Sequence, residues 1–171
     1  MKIYLLGFMG SGKSLLGPKI ARRLNIGFID LDHYIEARYG EKIEEIFVAG
    51  NEDLFRHAEK ECLTEVSQID NVLVATGGGT PCFFDNFKII KNSGISIYFR
   101  ISPGVLTSRL FNNRDKRPLL SGIITKESMN DFINKTLAER EKYYKKADVI
   151  IELEDLKLPI IITKIKQFTA L

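Results

Sequence analysis

Near the start of the chain, Gly7-x-x-x-x-Gly12-Lys13-Ser14 places glycines, a lysine and a serine at fixed spacing. That is the pattern of a phosphate-binding loop. Glycines let the backbone turn so that successive N–H groups cradle an anion. A lysine at this spacing reaches outer phosphates, and a serine hydroxyl can ligate Mg2+. The alternative is a glycine-rich turn that merely joins a strand to a helix. The apolar run Ile3–Leu6 before it and the helical spacing of Leu15, Leu16, Ile20, Ala21 and Leu24 after it favour the phosphate loop.

Four further groups could build a pocket for a phosphoryl acceptor. Asp30 and Asp32 end a predicted strand, where residues two apart share a face. Paired carboxylates there suit a cation or a hydroxyl substrate between them. Alternatively, Asp32 caps a helix starting at His33. Gly77-Gly78-Gly79 follows an apolar strand and puts bare backbone where a ligand can approach closely. Arg140 falls in phase with the apolar stripe Met129, Ile133, Leu137 and Tyr144. It either meets an anion in a cleft or snorkels to solvent. Arg56 lies off the stripe Phe55, Ala58, Cys62 and Val66, with Glu52 and Glu59 at helical spacing. By pattern alone it reads as a surface ion pair.

These residues need elements to hold them. Predicted strands are Ile3–Gly7, Gly27–Leu31, Val72–Thr76, Ile95–Arg100 and Asp148–Glu152. Predicted helices are Lys13–Leu24, His33–Tyr39, Glu52–Ser67, Asp85–Lys91, Pro103–Asn112, Glu127–Lys146 and Pro159–Phe168. Most strands are continuous apolar runs, as expected when helices cover both faces. The alternation of strand and helix predicts a parallel α/β sheet with ligands at the carboxyl ends of its strands. The long irregular stretch from Asn112 to Ile124 reads as functional, because loops of that length are uncommon in compact domains.

At 171 residues, one domain is expected over residues 1–171. The chain is 44% apolar and 27% charged with a net charge of +3, which makes no separate case for nucleic acid or membrane binding. Its two cysteines, Cys62 and Cys82, form no metal or disulfide pattern. With a first strand at Lys2 or Ile3, no signal peptide is expected, and the reading is cytoplasmic. A regulatory GTPase would carry D-x-x-G and N-K-x-D. The chain has no D-x-x-G, and "NKTL" at 134–137 puts Leu where Asp is needed.

Taken together, "GFMGSGKS", "IDLD", "FR" followed by Glu59, "GGG" and "RPLL" at 117–120 resemble the shikimate kinase family in order and spacing, over roughly residues 1–168. The resemblance implies a P-loop kinase of the nucleoside-monophosphate-kinase type. Its sheet would have five parallel strands flanked by helices. A mobile lid would span about 112–124, and the acceptor-binding region about 32–62. It implies transfer of the γ-phosphoryl group of ATP to the 3-hydroxyl of shikimate, on the way to chorismate and the aromatic amino acids.

By position, Lys13, Asp32 and Arg117 would be catalytic, with Asp32 on the shikimate hydroxyls. Arg56 and Arg140 would hold the shikimate carboxylate, and Gly77, Gly78 and Gly79 would contact the ring. ATP would lie on Gly10, Ser11, Gly12, Lys13, Ser14, Leu15 and Arg117. Arg109 or Arg114 would stand near adenine, with Pro159 on its other side. One Mg2+ per subunit would be held by Ser14 directly and by Asp30 through water. The implied partners are shikimate and ATP, with no nucleic acid, no membrane and a monomeric state. Two features depart from the family: Leu15 stands where Thr is usual, and Arg109 is irregularly spaced from RPLL.

Two rivals stay open on sequence alone. One is a kinase of another polyol acid such as gluconate. The other is a nucleotide-binding regulatory or assembly protein without turnover.

Overall fold

The computed structural model describes residues 1–48, 52–112, 120 and 122–169. Five strands, β1 (Lys2–Leu6), β2 (Gly27–Asp30), β3 (Val72–Ala75), β4 (Ile95–Arg100) and β5 (Val149–Glu152), form one sheet in the order β2-β3-β1-β4-β5. Every pairing is parallel. The helices are α1 (Lys13–Leu24), α2 (Leu31–Tyr39), α3 (Ile43–Val48), α4 (Glu52–Val66), α5 (Asn86–Ser93), α6 (Pro103–Phe111), α7 (Lys126–Tyr144) and α8 (Leu158–Thr169).

The apolar runs of the inner strands are explained by their position. On β1, Ile3 and Leu5 pack into a core with Ile20 and Ala21 of α1 and Ile161 and Ile165 of α8. Tyr4 and Leu6 point the other way, into a core with residues of α2, α4, α6 and α7. Both faces are covered, so alternation gives way to continuous apolarity.

Register places the functional residues on one edge. Leu5 pairs with Ala75, and Ala75 pairs with Asp30. The chain therefore leaves three neighbouring strands at one level, into Gly7, Thr76 and Leu31 respectively. Close seating of α1 depends on Gly17. A β-carbon there would lie 2.3 Å from Cε2 of Phe28 on β2.

The strands and longer helices match expectation to within a few residues. Three differences carry information. Strand β2 stops at Asp30, and α2 starts at Leu31, two residues before the expected His33. The six-residue helix α3 is not among the predicted helices, being too short for a helical period to stand out. A 3-10 turn, Thr80–Cys82, follows the glycine triplet, with Pro81 inside it.

Candidate active site

The phosphate loop is built as the spacing requires. Gly7, Gly10 and Gly12 have φ of 140°, 79° and 97°, a region open to glycine and strained for other residues. Gly12 caps α1, whose first turn carries no acidic residue, so its N-terminal N–H groups suit an anion. Lys13 is buried, and its Nζ donates to the carbonyls of Gly7 at 2.7 Å and Phe8 at 3.0 Å. Ser14 is exposed in the first turn of α1, and Leu15 beside it is 68% exposed. Arg109 on α6 reaches across to the loop, its NH1 donating to Gly10 O at 3.0 Å.

Asp30 and Asp32 do not share a strand face as the alternation predicts. The chain turns into α2 immediately after Asp30, so Asp32 rides in the helix's first turn. Asp30 is the cap, accepting from the N–H groups of Asp32 and His33. The capping role that sequence allowed for Asp32 therefore falls to Asp30. Burial pushes the Asp32 carboxyl up from 3.8 to about 6. The charges of Asp30 and Glu59 add to the rise, while Lys13 and His33 oppose it.

Arg56 is not a surface residue. It is 5% exposed, and Glu59, one turn on, is completely buried. NH1 of Arg56 donates to Glu59 Oε2 at 2.8 Å, while Nε and NH2 both donate to Oε1 of the exposed Glu52. The Phe83 ring covers the guanidinium, its centroid 3.9 Å from Cζ. The flank of the Phe55 stripe that carries Arg56 and Glu59 is thus buried as well, against the glycine triplet.

The triplet draws the site together. A β-carbon on Gly77 would lie 2.8 Å from Asp32 Oδ1 and 3.0 Å from Glu59 Oε1. One on Gly78 would meet Arg140 NH1 at 3.5 Å and the backbone nitrogen of Met9, in the phosphate loop, at 3.2 Å. One on Gly79 would lie 2.8 Å from both NH1 and NH2 of Arg56. Three successive glycines therefore touch Asp32, Arg140 and Arg56 in turn, and the middle one abuts the phosphate loop. Arg140 is half-buried, its Cζ 5.8 Å from the Phe8 ring centroid. It faces this cleft. Tyr144, one turn further along α7, is fully buried and donates its hydroxyl proton to Gly78 O.

A phosphate cradle and a pocket of two arginines and two carboxylates thus share one wall. Residues 9–170 match the family model described as shikimate kinase. The chain belongs to the shikimate kinase family. Its activity is that of a shikimate kinase, which uses ATP and serves aromatic amino-acid biosynthesis. Shikimate kinase of Phocaeicola vulgatus is 40% identical over 156 residues, 91% of this chain and 89% of that protein. The crystal structure of shikimate kinase from Bacteroides thetaiotaomicron superposes with a TM-score of 0.91 at 35% identity, covering 100% of this chain and 99% of that one. Shikimate kinase from Acinetobacter baumannii in complex with shikimate gives 0.87 at 30% identity, covering 99% of this chain and 92% of that one.

Other expected shikimate kinase residues fall less centrally. Arg114 and Arg117, with most of the expected lid, lie outside the described residues. Leu120 of the RPLL segment is fully buried in the core that includes α6 and α7. Pro159 is exposed in the first turn of α8, and its carbonyl accepts from Thr163 Oγ1 at 3.0 Å. Both cysteines are free; burial pushes the Cys82 thiol up to about 11. No helix among the described residues is long and apolar enough to cross a membrane. Glu59 pairs with Arg56 at the three-residue spacing read from the sequence, but the pair is buried and not on the surface. Thr80, Phe83 and Tyr144 carried no pattern that separates them from loop or core residues.

Proposed function

We propose that the chain phosphorylates the 3-hydroxyl of shikimate, with ATP bound on the Gly7–Ser14 loop and shikimate bound between α2, α4, α7 and the Gly77–Gly79 loop. The observation that carries this reading is the triplet's contact with Asp32, Arg140 and Arg56 at successive positions, beside the phosphate loop. Acceptor and donor sites then share a wall, which in-line transfer needs.

In this reading Arg56 and Arg140 hold the shikimate carboxylate and so fix the ring. Asp32 receives the proton of the attacking hydroxyl. With its carboxyl raised to about 6, it is ionised at neutral pH yet more basic than an ordinary aspartate. The hydroxyl oxygen bonds to the γ-phosphorus as the bond from phosphorus to the β–γ bridging oxygen breaks, leaving ADP. Lys13, and Arg117 on the expected lid, neutralise charge on the transferring group. Arg109 or Arg114 and Pro159 flank adenine, with Arg109 favoured by its bond to Gly10 O. Ser14 and Asp30 are hard oxygen donors, which suits Mg2+. Ser14 would hold the ion directly and Asp30 through water, and the ion would neutralise phosphate charge.

A coupled assay of ADP release tests the function. Release with shikimate, and none with gluconate, is the expected result. Equal rates with gluconate would support a kinase of broader polyol acids. Nucleotide binding without ADP release would support a regulatory protein.

A further inference from the structure

A buried chain of polar contacts runs behind the pocket, from α5 through the 3-10 turn to α4. Asn86, the first residue of α5, donates from Nδ2 to Thr80 O at 2.9 Å. Thr80 Oγ1 donates to Glu59 Oε1 at 2.6 Å. Glu59 Oε2 accepts from Arg56 NH1 at 2.8 Å. Asn86, Thr80 and Glu59 are completely buried.

We propose that Thr80 is a positioning residue for the acceptor site, its hydroxyl setting the plane of the Glu59 carboxylate and thereby the direction of the Arg56 guanidinium. The proposal rests on the reading that Arg56 receives the acceptor's carboxylate.

Torsional freedom is the first argument. The terminal torsion of a glutamate is broad and has no deep staggered wells. A carboxylate held by one oxygen swings about that bond, and its partner follows. Glu59 is held at both oxygens by donors from different elements, the 3-10 turn and α4, so its plane is fixed.

The second argument concerns where the proton goes. A threonine hydroxyl has a single proton to donate. Two carboxylates lie close by: a β-carbon on Gly77 would stand 3.0 Å from Thr80 Oγ1, 3.0 Å from Glu59 Oε1 and 2.8 Å from Asp32 Oδ1. The proton is given to Glu59. Glu59 is thereby held as the ionic partner of Arg56, and Asp32 keeps its capacity to accept a proton from substrate.

The third argument is that Thr80 is itself fixed. Its N–H donates to Gly77 O, and its carbonyl takes the Asn86 amide. Among the described residues, Asn86 Oδ1 is the buried side-chain atom without a hydrogen-bond partner. An unpaired buried carbonyl is destabilising. Keeping Asn86 here is therefore explained by the bond its other end makes to Thr80.

The test compares T80V and T80S with the unaltered enzyme, with R56K as a separate arm. T80V removes the hydroxyl at nearly constant shape; T80S keeps it on a smaller side chain. The expected result for T80V is a shikimate KM raised about 5–10-fold, with ATP KM and kcat within about twofold, since a lost hydrogen bond to a charged partner loosens Arg56 without touching nucleotide. T80S should stay within about twofold of the unaltered enzyme on all three parameters. An unchanged shikimate KM in T80V would overturn the proposal. So would an equal defect in T80S, or ATP and shikimate KM rising together, since each indicates a general packing effect. R56K separates the two levels. If R56K weakens shikimate binding and T80V does not, the Thr80 inference fails alone. If R56K binds shikimate normally, the Arg56 reading fails and this inference with it.

Discussion

Asp30 Oδ1 accepts the backbone N–H of Asp32 at 3.1 Å, so one acidic residue caps the helix whose first turn presents the other. A residue assigned to Mg2+ and a residue assigned to the reacting hydroxyl are thereby joined through one local contact. Their roles separate by substitution.

Asparagine caps helices as well as aspartate, but it carries no charge. D30N should keep its melting temperature and raise the Mg2+ concentration needed for half-maximal rate. D30A should show the same Mg2+ defect and in addition lose about 1 kcal/mol of stability with the cap. Thermal melts and Mg2+ titrations of both variants provide the check. Identical Mg2+ dependence in D30N and the unaltered enzyme would remove Asp30 from the metal site.

Asp32 makes a prediction of two opposite signs. Its carboxyl is raised from 3.8 to about 6 in the fold. The stability associated with this shift is present below pH 3.8 and is lost as pH rises through about 6. At pH 7–8 the buried charge is therefore a burden, and D32N should stabilise the protein by about 1–2 kcal/mol. Turnover should fall by roughly 100-fold or more while ATP affinity holds. The unaltered enzyme should lose activity as pH falls through about 6, where the carboxylate takes up its proton. Melting curves and kcat–pH profiles decide this. Normal turnover in D32N would leave Asp32 a bystander.

Arg56 and Arg140 should be separable from nucleotide binding. R140A should weaken shikimate binding by about 2–5 kcal/mol and leave ATP binding nearly unchanged, as expected for a lost charge-assisted contact in a cleft. R56K keeps a cation for Glu59 but loses the planar fork, so it should lower shikimate affinity with a smaller effect on the fold. Calorimetric titration with each ligand measures both. Equal losses for the two ligands would speak against the carboxylate assignment.

The Nε and NH2 donors of Arg56 both point at Glu52 Oε1, and Glu52 is exposed at the start of α4. A substrate carboxylate taking that fork has to compete with it. E52Q should therefore bind shikimate several-fold more tightly, an unusual direction for a substitution in a binding region. A lower affinity in E52Q would make Glu52 a support for Arg56 instead of a competitor.

The expected lid, about 112–124, gives a kinetic prediction. If Arg117 acts on the transferring phosphoryl group, R117A should lower kcat by about 100-fold with little change in melting temperature or in shikimate affinity. Digestion at the Arg and Lys sites of 114–117, with and without ATP analogue plus shikimate, should show protection by the ligands. A normal kcat in R117A would exclude the arginine from the chemistry.

What could be read in the sequence was whatever leaves a period or a fixed spacing. The phosphate loop is legible because glycine, lysine and serine each answer one geometric need at one position. The sheet is legible because strands covered twice lose alternation. Arg140 stood out because it interrupts an apolar stripe. Arg56 did not, because periodicity registers only apolar burial, and the buried flank of α4 beside Phe55 is polar. The pairing of Asp30 with Asp32 was misplaced for a related reason: alternation assumes that the strand continues, and β2 stops at Asp30. Thr80 and Asn86 are identified only by what they touch.

Gly17 lies four residues beyond Lys13 on α1, outside the phosphate loop. Its missing side chain lets the helix sit against Phe28 of β2, the strand that ends in Asp30. A methyl group at that point would force either the Phe28 ring or α1 to shift. The phosphate loop sits at one end of that helix, and Asp30 and Asp32 lie where β2 ends. The spacing between the phosphate loop and the Asp30–Asp32 turn thus depends on a packing contact outside both. A substitution at position 17 therefore bears on the alignment of the two sites as well as on the fold.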